Sequence, residues 1–203
     1  MPNHCNNELE ITGSPKEVQK VVAFLKGDMP IYAGEKGPAD KSDLCFNKVI
    51  PVPKETLDAG YDGHDRKGFN LPIDGYNWQA QNWGTKWGAY DINASPIQAV
   101  TKKKSIAAYS FNTAWAPPQP VFEKLGALFP KVEVMLKWAE PGCAFAGKIT
   151  VTGEDIDLEE VDEAGFQQFV IDEFGYDPYE GCEDEDEDAN SKFEEVAVKK
   201  AKK

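Results

Sequence analysis

From Glu154 to Asp188 the chain carries 17 acidic residues and no Lys or Arg. Such a stretch cannot build a core alone. Its few apolar side chains do not offset both the entropy of ordering and the repulsion between its carboxylates. Residues 1–153 hold 17 Lys and Arg against 16 Asp and Glu, and residues 192–203 hold five Lys against two Glu. The formal net charge of −13 therefore belongs to one segment, set between a near-neutral body and a basic tip. A chain of 203 residues with 41% hydrophobic residues has material for one substantial core, and the asymmetry places that core before Gly153.

Within the body the apolar pattern predicts elements. Asn7–Thr12 alternates, with Leu9 and Ile11 on one face and Glu8 and Glu10 on the other, as in a half-buried strand. Ser14-Pro15-Lys16-Glu17 has the pattern of a capping box, and Val18, Val21, Val22 and Leu25 follow at helical spacing up to Gly27. Residues 28–43 read as loop, Leu44–Val52 as a second strand, and residues 54–77, with Gly60, Gly63, Gly68 and Gly75, again as loop. Ser105–Trp115 alternates as a strand. Pro117, Pro118 and Pro120 then open a helix carrying Val121, Leu125 and Leu128. Val132–Trp138 and Phe145–Thr152 form a hairpin about Pro141-Gly142.

This order predicts an α+β fold. The expected form is a ferredoxin-like sandwich, an antiparallel sheet with two helices on one face and a long aromatic-rich insertion at about 51–104. Residues 1–153 form that domain. In 154–182, Phe166, Phe169, Val170 and Phe174 fall on one face of an acidic amphipathic helix expected to dock on the body. Residues 183–203 are expected to be disordered, acidic and then basic.

Several function classes are set aside by composition. No apolar run approaches the ~20 residues that span a bilayer. The segment Met-Pro-Asn-His-Cys-Asn-Asn lacks the basic and apolar regions of a secretory signal, so a cytoplasmic location is expected. Cys5, Cys45, Cys143 and Cys182 are scattered without a Cys-x-x-Cys pair, which predicts free thiols; no metal or cofactor is expected.

Three of the five tryptophans, Trp78, Trp83 and Trp87, fall within ten residues. The run Trp83-Gly84-Thr85-Lys86-Trp87 is followed by Asp91. Around it stand Asn3, Cys5 and Asn7 with Gly13, then Thr113-x-Trp115-x-Pro117-Pro118, Phe129-Pro130, and Glu140-x-Gly142 with Gly147. In these residues the chain resembles the YubB-type ferredoxin-like domain family of phage and plasmid proteins, with His4 where the family commonly has Trp. The resemblance spans about residues 1–153. It implies the fold and a mobile-element origin, and brings no catalytic residue or cofactor with it.

Two binding roles follow as expectations. The first is protein–protein interaction through the acidic arm. There Glu159, Glu160, Asp162, Glu163, Asp172, Glu173 and the run Glu183, Asp184, Glu185, Asp186, Glu187, Asp188 would act as a decoy for a basic surface on a host or phage protein. The second is a nucleic-acid-binding module in which Trp83 and Trp87 stack on bases and Lys86 meets phosphate. A single Arg (Arg66) and the net negative charge weigh against the second, and clustered Trp more often packs, here sealing the long insertion onto the body. An enzyme is the weakest reading. The imidazoles are His4 and His64 alone, Pro2 precedes the first strand, and Asp91 and Glu140 are better placed as hydrogen-bond acceptors than as a hydrolytic pair.

Overall fold

Alternation along the first strand decides where the core lies. The structure, a computed structural model, describes residues 3–61 and 73–180. Strand β1 (His4–Gly13) buries Cys5, Asn7, Leu9 and Ile11 on one face and leaves Asn6, Glu8 and Glu10 half-buried on the other. Helix α1 (Pro15–Leu25) starts where Ser14 accepts from the Glu17 amide, and it buries Val18, Val21 and Leu25.

The chain then runs through β2 (Gly27–Asp28), β3 (Lys41–Ser42), α2 (Phe46–Val49), α3 (Lys54–Ala59) and α4 (Gly75–Asn82) before returning to the main sheet. There follow β4 (Tyr90–Ala94), β5 (Gln98–Ala99), β6 (Ser105–Ala114), α5 (Gln119–Leu128), β7 (Val132–Glu140), β8 (Phe145–Thr152), β9 (Asp155–Val161) and α6 (Glu163–Phe174).

The main sheet has the order β4-β6-β1-β7-β8-β9, with β5 also on β6, and every pairing is antiparallel. Strands β6 and β7 flank β1, joined by α5; β1 and β4 flank β6, joined by α1 and the long excursion. Two β-α-β crossovers thus interlock. Helices α1 and α5 share one core with the sheet, through Val18, Val21, Leu25, Val121, Phe122 and Leu125 against Leu9, Ile11, Val134 and Leu136. At Gly126 a Cβ would stand 2.2 Å from a Val151 methyl carbon, so the missing side chain is what lets α5 lie directly on β8.

Among the described residues the other face is covered at one end. Helix α6 buries Phe166, Phe169 and Val170 against Ala139 and Ala146 of β7 and β8.

Four local expectations are corrected. Residues 44–52 do not form a strand, because Phe46 and Val49 enter the core on one short helical turn; brief apolar runs fit either period. The sheet strand that follows the first helix is β4, which begins at Tyr90, well beyond residues 44–52. Residues 54–77 are not all loop, since α3 follows Pro53 and α4 is capped by Asp74, whose carboxylate accepts from the Asn77 amide at 2.9 Å. Residues 155–161 are a strand, and helix begins only at Glu163. The chain turns at Gly153 (φ 64) and pairs β9 with β8, and the density of acids hid the period-two placing of Ile156 and Leu158. Gly63, His64, Arg66, Gly68, Pro2 and Glu183–Asp188 lie outside the described residues.

Candidate functional site

Strand register gathers motif residues scattered through the sequence at one end of the sheet. Cys5 stands opposite Thr113 and His4 opposite Ala114, while Asn6 faces Ala139, one residue before Glu140. Asn7 donates through Nδ2 to the Cys5 carbonyl at 2.8 Å and to Thr113 Oγ1 at 2.9 Å, and Thr113 Oγ1 donates to the Ala116 carbonyl at 2.8 Å. The Asn3 carbonyl accepts from the Trp115 amide at 3.0 Å. Thr85 Oγ1 donates to the Ala114 carbonyl at 3.0 Å and accepts the Ala114 amide at 3.1 Å, tying the Trp-rich segment to the end of β6. Gly84 (φ 79) leaves room for Pro117, whose carbonyl would lie 2.9 Å from a Cβ there. These residues brace backbone against backbone.

Their chemistry is correspondingly occupied. Glu140, 1% exposed, accepts the amides of Gly142 at 3.0 Å and Cys143 at 2.6 Å, and so holds the β7–β8 turn. The exposed Cys143 thiol is raised above its ordinary range, chiefly by its hydrogen bond to Glu140, which suppresses the thiolate a nucleophile needs. Asp91, at φ 52, accepts from the Asn112 side-chain amide at 3.2 Å. His4 Nδ1 lies 2.7 Å from the Tyr90 hydroxyl, a pair the sequence pattern did not reveal. Cys5 is sealed in the core, where burial pushes its thiol up to about 12. Among the described residues no group of three or more His, Cys, Asp or Glu side chains is placed to hold a metal ion.

The aromatic segment divides. Trp83 is fully buried, donates Nε1 to the Ile50 carbonyl at 2.9 Å, and meets Phe46 and Trp78 edge-on at 5.7 and 6.0 Å. It cannot stack on a base, which corrects the reading that made it a binding platform. Trp87 is half-buried beside Met29, Pro30 and Tyr32. Lys86 sits 4.5 Å from the Trp115 ring centroid and 5.7 Å from that of Tyr76. Trp115 is 40% exposed and adopts φ 70, a conformation that is uncommon outside glycine.

The second constellation is the acidic wing formed by β9 and α6. Asp162 caps α6, accepting the Ala164 amide at 3.1 Å. Glu173 pairs with Lys148 at 2.7 Å and reaches Lys137 at 3.8 Å, and Lys148 also meets Glu159 at 3.5 Å. The Lys148 hydrogen bond holds the Glu173 carboxyl below its ordinary range, and that carboxylate in turn raises Lys148. Asp172 accepts from Gln168 at 2.8 Å. Asp155, Asp157, Glu160 and Glu163 are exposed and have no ion-pair partner among the described residues.

This sheet has relatives. Residues 89–196, just over half of the chain, match the family model described as the ferredoxin-like domain in Api92-like protein. The chain belongs to this family. The matched Api92-like segment begins just before β4 and takes in β6, α5, β7, β8, β9 and α6, while β1, seated between β6 and β7, lies ahead of it. The crystal structure of the protein api92 from Yersinia pseudotuberculosis is 11% identical, with a TM-score of 0.49 over 79% of this chain and 98% of that one. No curated protein matches the sequence. Within the described residues no helix is long and apolar enough to cross a membrane.

Proposed function

We propose that this Api92-like protein is a non-enzymatic accessory protein that binds a basic protein surface through its acidic wing. One observation carries the reading: β9 and α6 anchor an acid-only stretch to the sheet and turn Asp155, Asp157, Glu160 and Glu163 to water, while Lys148 pairs with Glu159 and Glu173 and Lys137 is shared between Glu8 and Glu173. A fixed array of like charge attracts an opposite surface over about a Debye length, ~8 Å at physiological salt, and speeds encounter. The mobile-element origin implied by the motif resemblance favours a host or phage protein as that partner. Cytoplasmic residence in the host is part of the same reading. The body is taken as a ferredoxin-like sandwich, β1–α1–β4–β6–α5–β7, with residues 26–89 inserted in its first crossover.

The nucleic-acid reading is weaker. It keeps the half-buried Trp87 and the exposed Trp115, but Trp83 is enclosed and the Lys86 ammonium already lies against Trp115.

The test is capture from host lysate by the full chain and by a variant carrying Asp155→Asn, Asp157→Asn, Glu160→Gln and Glu163→Gln. The expected result is a set of salt-sensitive partners lost with the charges. Partners retained by the neutralised wing would count against it.

A further inference from the structure

Strand β9 ends the sheet. Among the described residues it pairs with β8 alone, so alternate backbone N–H and C=O groups along its outer side face solvent. An open edge is a ready template for another strand. The side chains of β9 are sorted by face. Asp155, Asp157 and Glu159 point to the side of the sheet that carries α6, across from Thr152, Thr150 and Lys148. Ile156 and Leu158 point to the α5 side and remain 52% and 47% exposed. Aliphatic side chains on an unpaired edge, flanked by acids on the opposite face, are half of a strand pair.

The charges choose the occupant. A second copy of β9 in antiparallel register is disfavoured: matching Leu158 to Leu158 sets Asp157 against Glu159, and matching Ile156 to Leu158 sets Asp155 against Glu159 and Asp157 against Asp157. Like charges directly opposite destabilise a strand pair. A strand with Lys or Arg on one face and aliphatic residues on the other meets both faces of β9 favourably.

We infer that β9 is a docking edge for a basic, alternating extended segment of a partner protein, added to the sheet by backbone pairing. The inference rests on the acidic-wing reading and specifies its geometry. Lysines of the incoming strand lie against Asp155, Asp157 and Glu159, and its aliphatic residues cover Ile156 and Leu158.

The probe is a seven-residue peptide, Val-Lys-Val-Lys-Val-Lys-Val, equal in length to β9. Its control is the same peptide N-methylated at alternate residues on the pairing side, which keeps every charge and side chain but removes the donors. Binding to the full chain is measured at low salt by titration, with hydrogen exchange of the β9 amides as the structural readout. The expected result is binding at least tenfold stronger for the unmodified peptide, slowed exchange of β9 amides, and weakening of that binding in the Ile156→Ser, Leu158→Ser variant. Equal, salt-sensitive binding of both peptides overturns edge pairing and leaves the acidic wing as a diffuse electrostatic surface. Absence of binding by either peptide overturns both readings. Protection of the outer β9 amides before any peptide is added shows that the chain or a second copy of it already covers the edge, and overturns the docking role.

Discussion

The two faces of the sheet are covered in different ways. On one, α1, α2 and α5 close over a continuous core that takes in Phe46, Trp83, Phe111, Phe122 and Trp138. On the other, among the described residues, one helix buries Phe166, Phe169 and Val170 against Ala139 and Ala146 at the β7–β8 end, and the remainder, with Glu8, Glu10, Ser110 and Lys137, lines an open groove of about 260 Å³. The first face holds the molecule together. The second holds a charged appendage through a small apolar cluster and the Glu173 ion pairs, so most of its acids stay hydrated instead of buried, where desolvation would neutralise them. Regions with few buried contacts open first, independently of the global transition.

The contrast predicts a ranking of effects. Replacing Trp83 with Ala removes the largest side chain sealing the insertion, and urea unfolding is expected to show a loss of ~3–5 kcal/mol; a loss below ~1 kcal/mol would mean that the Trp-rich segment is not part of the load on this face.

Alkali probes the same core. Burial raises Cys5 from its ordinary 9.0 to about 12, and it raises Tyr32 and Tyr109 to about 12 from 10.0. Groups whose folded pKa lies above the unfolded value contribute stability that is complete below the unfolded value and lost as pH rises through the folded one. Stability is therefore expected to fall between about pH 9 and 12, by a few kcal/mol from Cys5 alone. In Cys5→Ala the decline, followed by denaturant midpoints against pH, should be shallower. An unchanged slope would place the thiol outside the sealed core.

On the opposite face, Phe166→Ala should loosen α6 without unfolding the body. Exchange of α6 amides is expected to quicken by about tenfold or more while β1 and β7 keep their protection. A matching loss of protection in β1 would show that the two faces unfold as one unit and would erase the distinction.

The smallest effect is electrostatic. Glu173 is held below the usual carboxylate range by Lys148, so its contribution is present above the ordinary 4.5 and lost as pH falls through its lowered folded value. Because the pair is largely solvent-screened, Glu173→Gln should cost no more than ~1 kcal/mol at neutral pH, with less acid sensitivity below pH 4.5. Thermal melts at low and high salt separate this from packing, since the difference should shrink as salt rises.

Much of the first face was legible in the sequence. The alternation of Leu9 and Ile11, the Ser14-Pro15 cap and the strands around Tyr109 and Leu136 all state their own period, because burial on one side of a regular element imprints a repeat. Residues 44–52 were not legible, since a run of Leu, Cys, Phe, Val and Ile fits a buried strand as well as one turn of helix. Strand β9 was missed for a different reason: seven residues carrying Asp155, Asp157, Glu159 and Glu160 look solvated, and only pairing with β8 makes them a strand. The motif residues were legible as a set but not in their work. The pattern marks Asn7, Thr85 and Thr113 as candidate binding residues and Glu140 as a hydrogen-bond acceptor; all four are buried and brace backbone, the role expected for Glu140 alone.

By itself the sequence determined the separation of charge, the placing of the apolar stripe on α1 and α5, and membership of the Api92-like family, whose model matches residues 89–196. Each is a property of residues near one another along the chain, where local periodicity and composition act. Only the tertiary structure decided that Trp83 is core while Trp115 is surface, that Glu140 is spent on the amides of its own turn, and that the acidic stretch begins as an edge strand. Those outcomes depend on which backbone groups remain unpaired once β6 and β7 have closed around β1, and no local window of sequence contains that information.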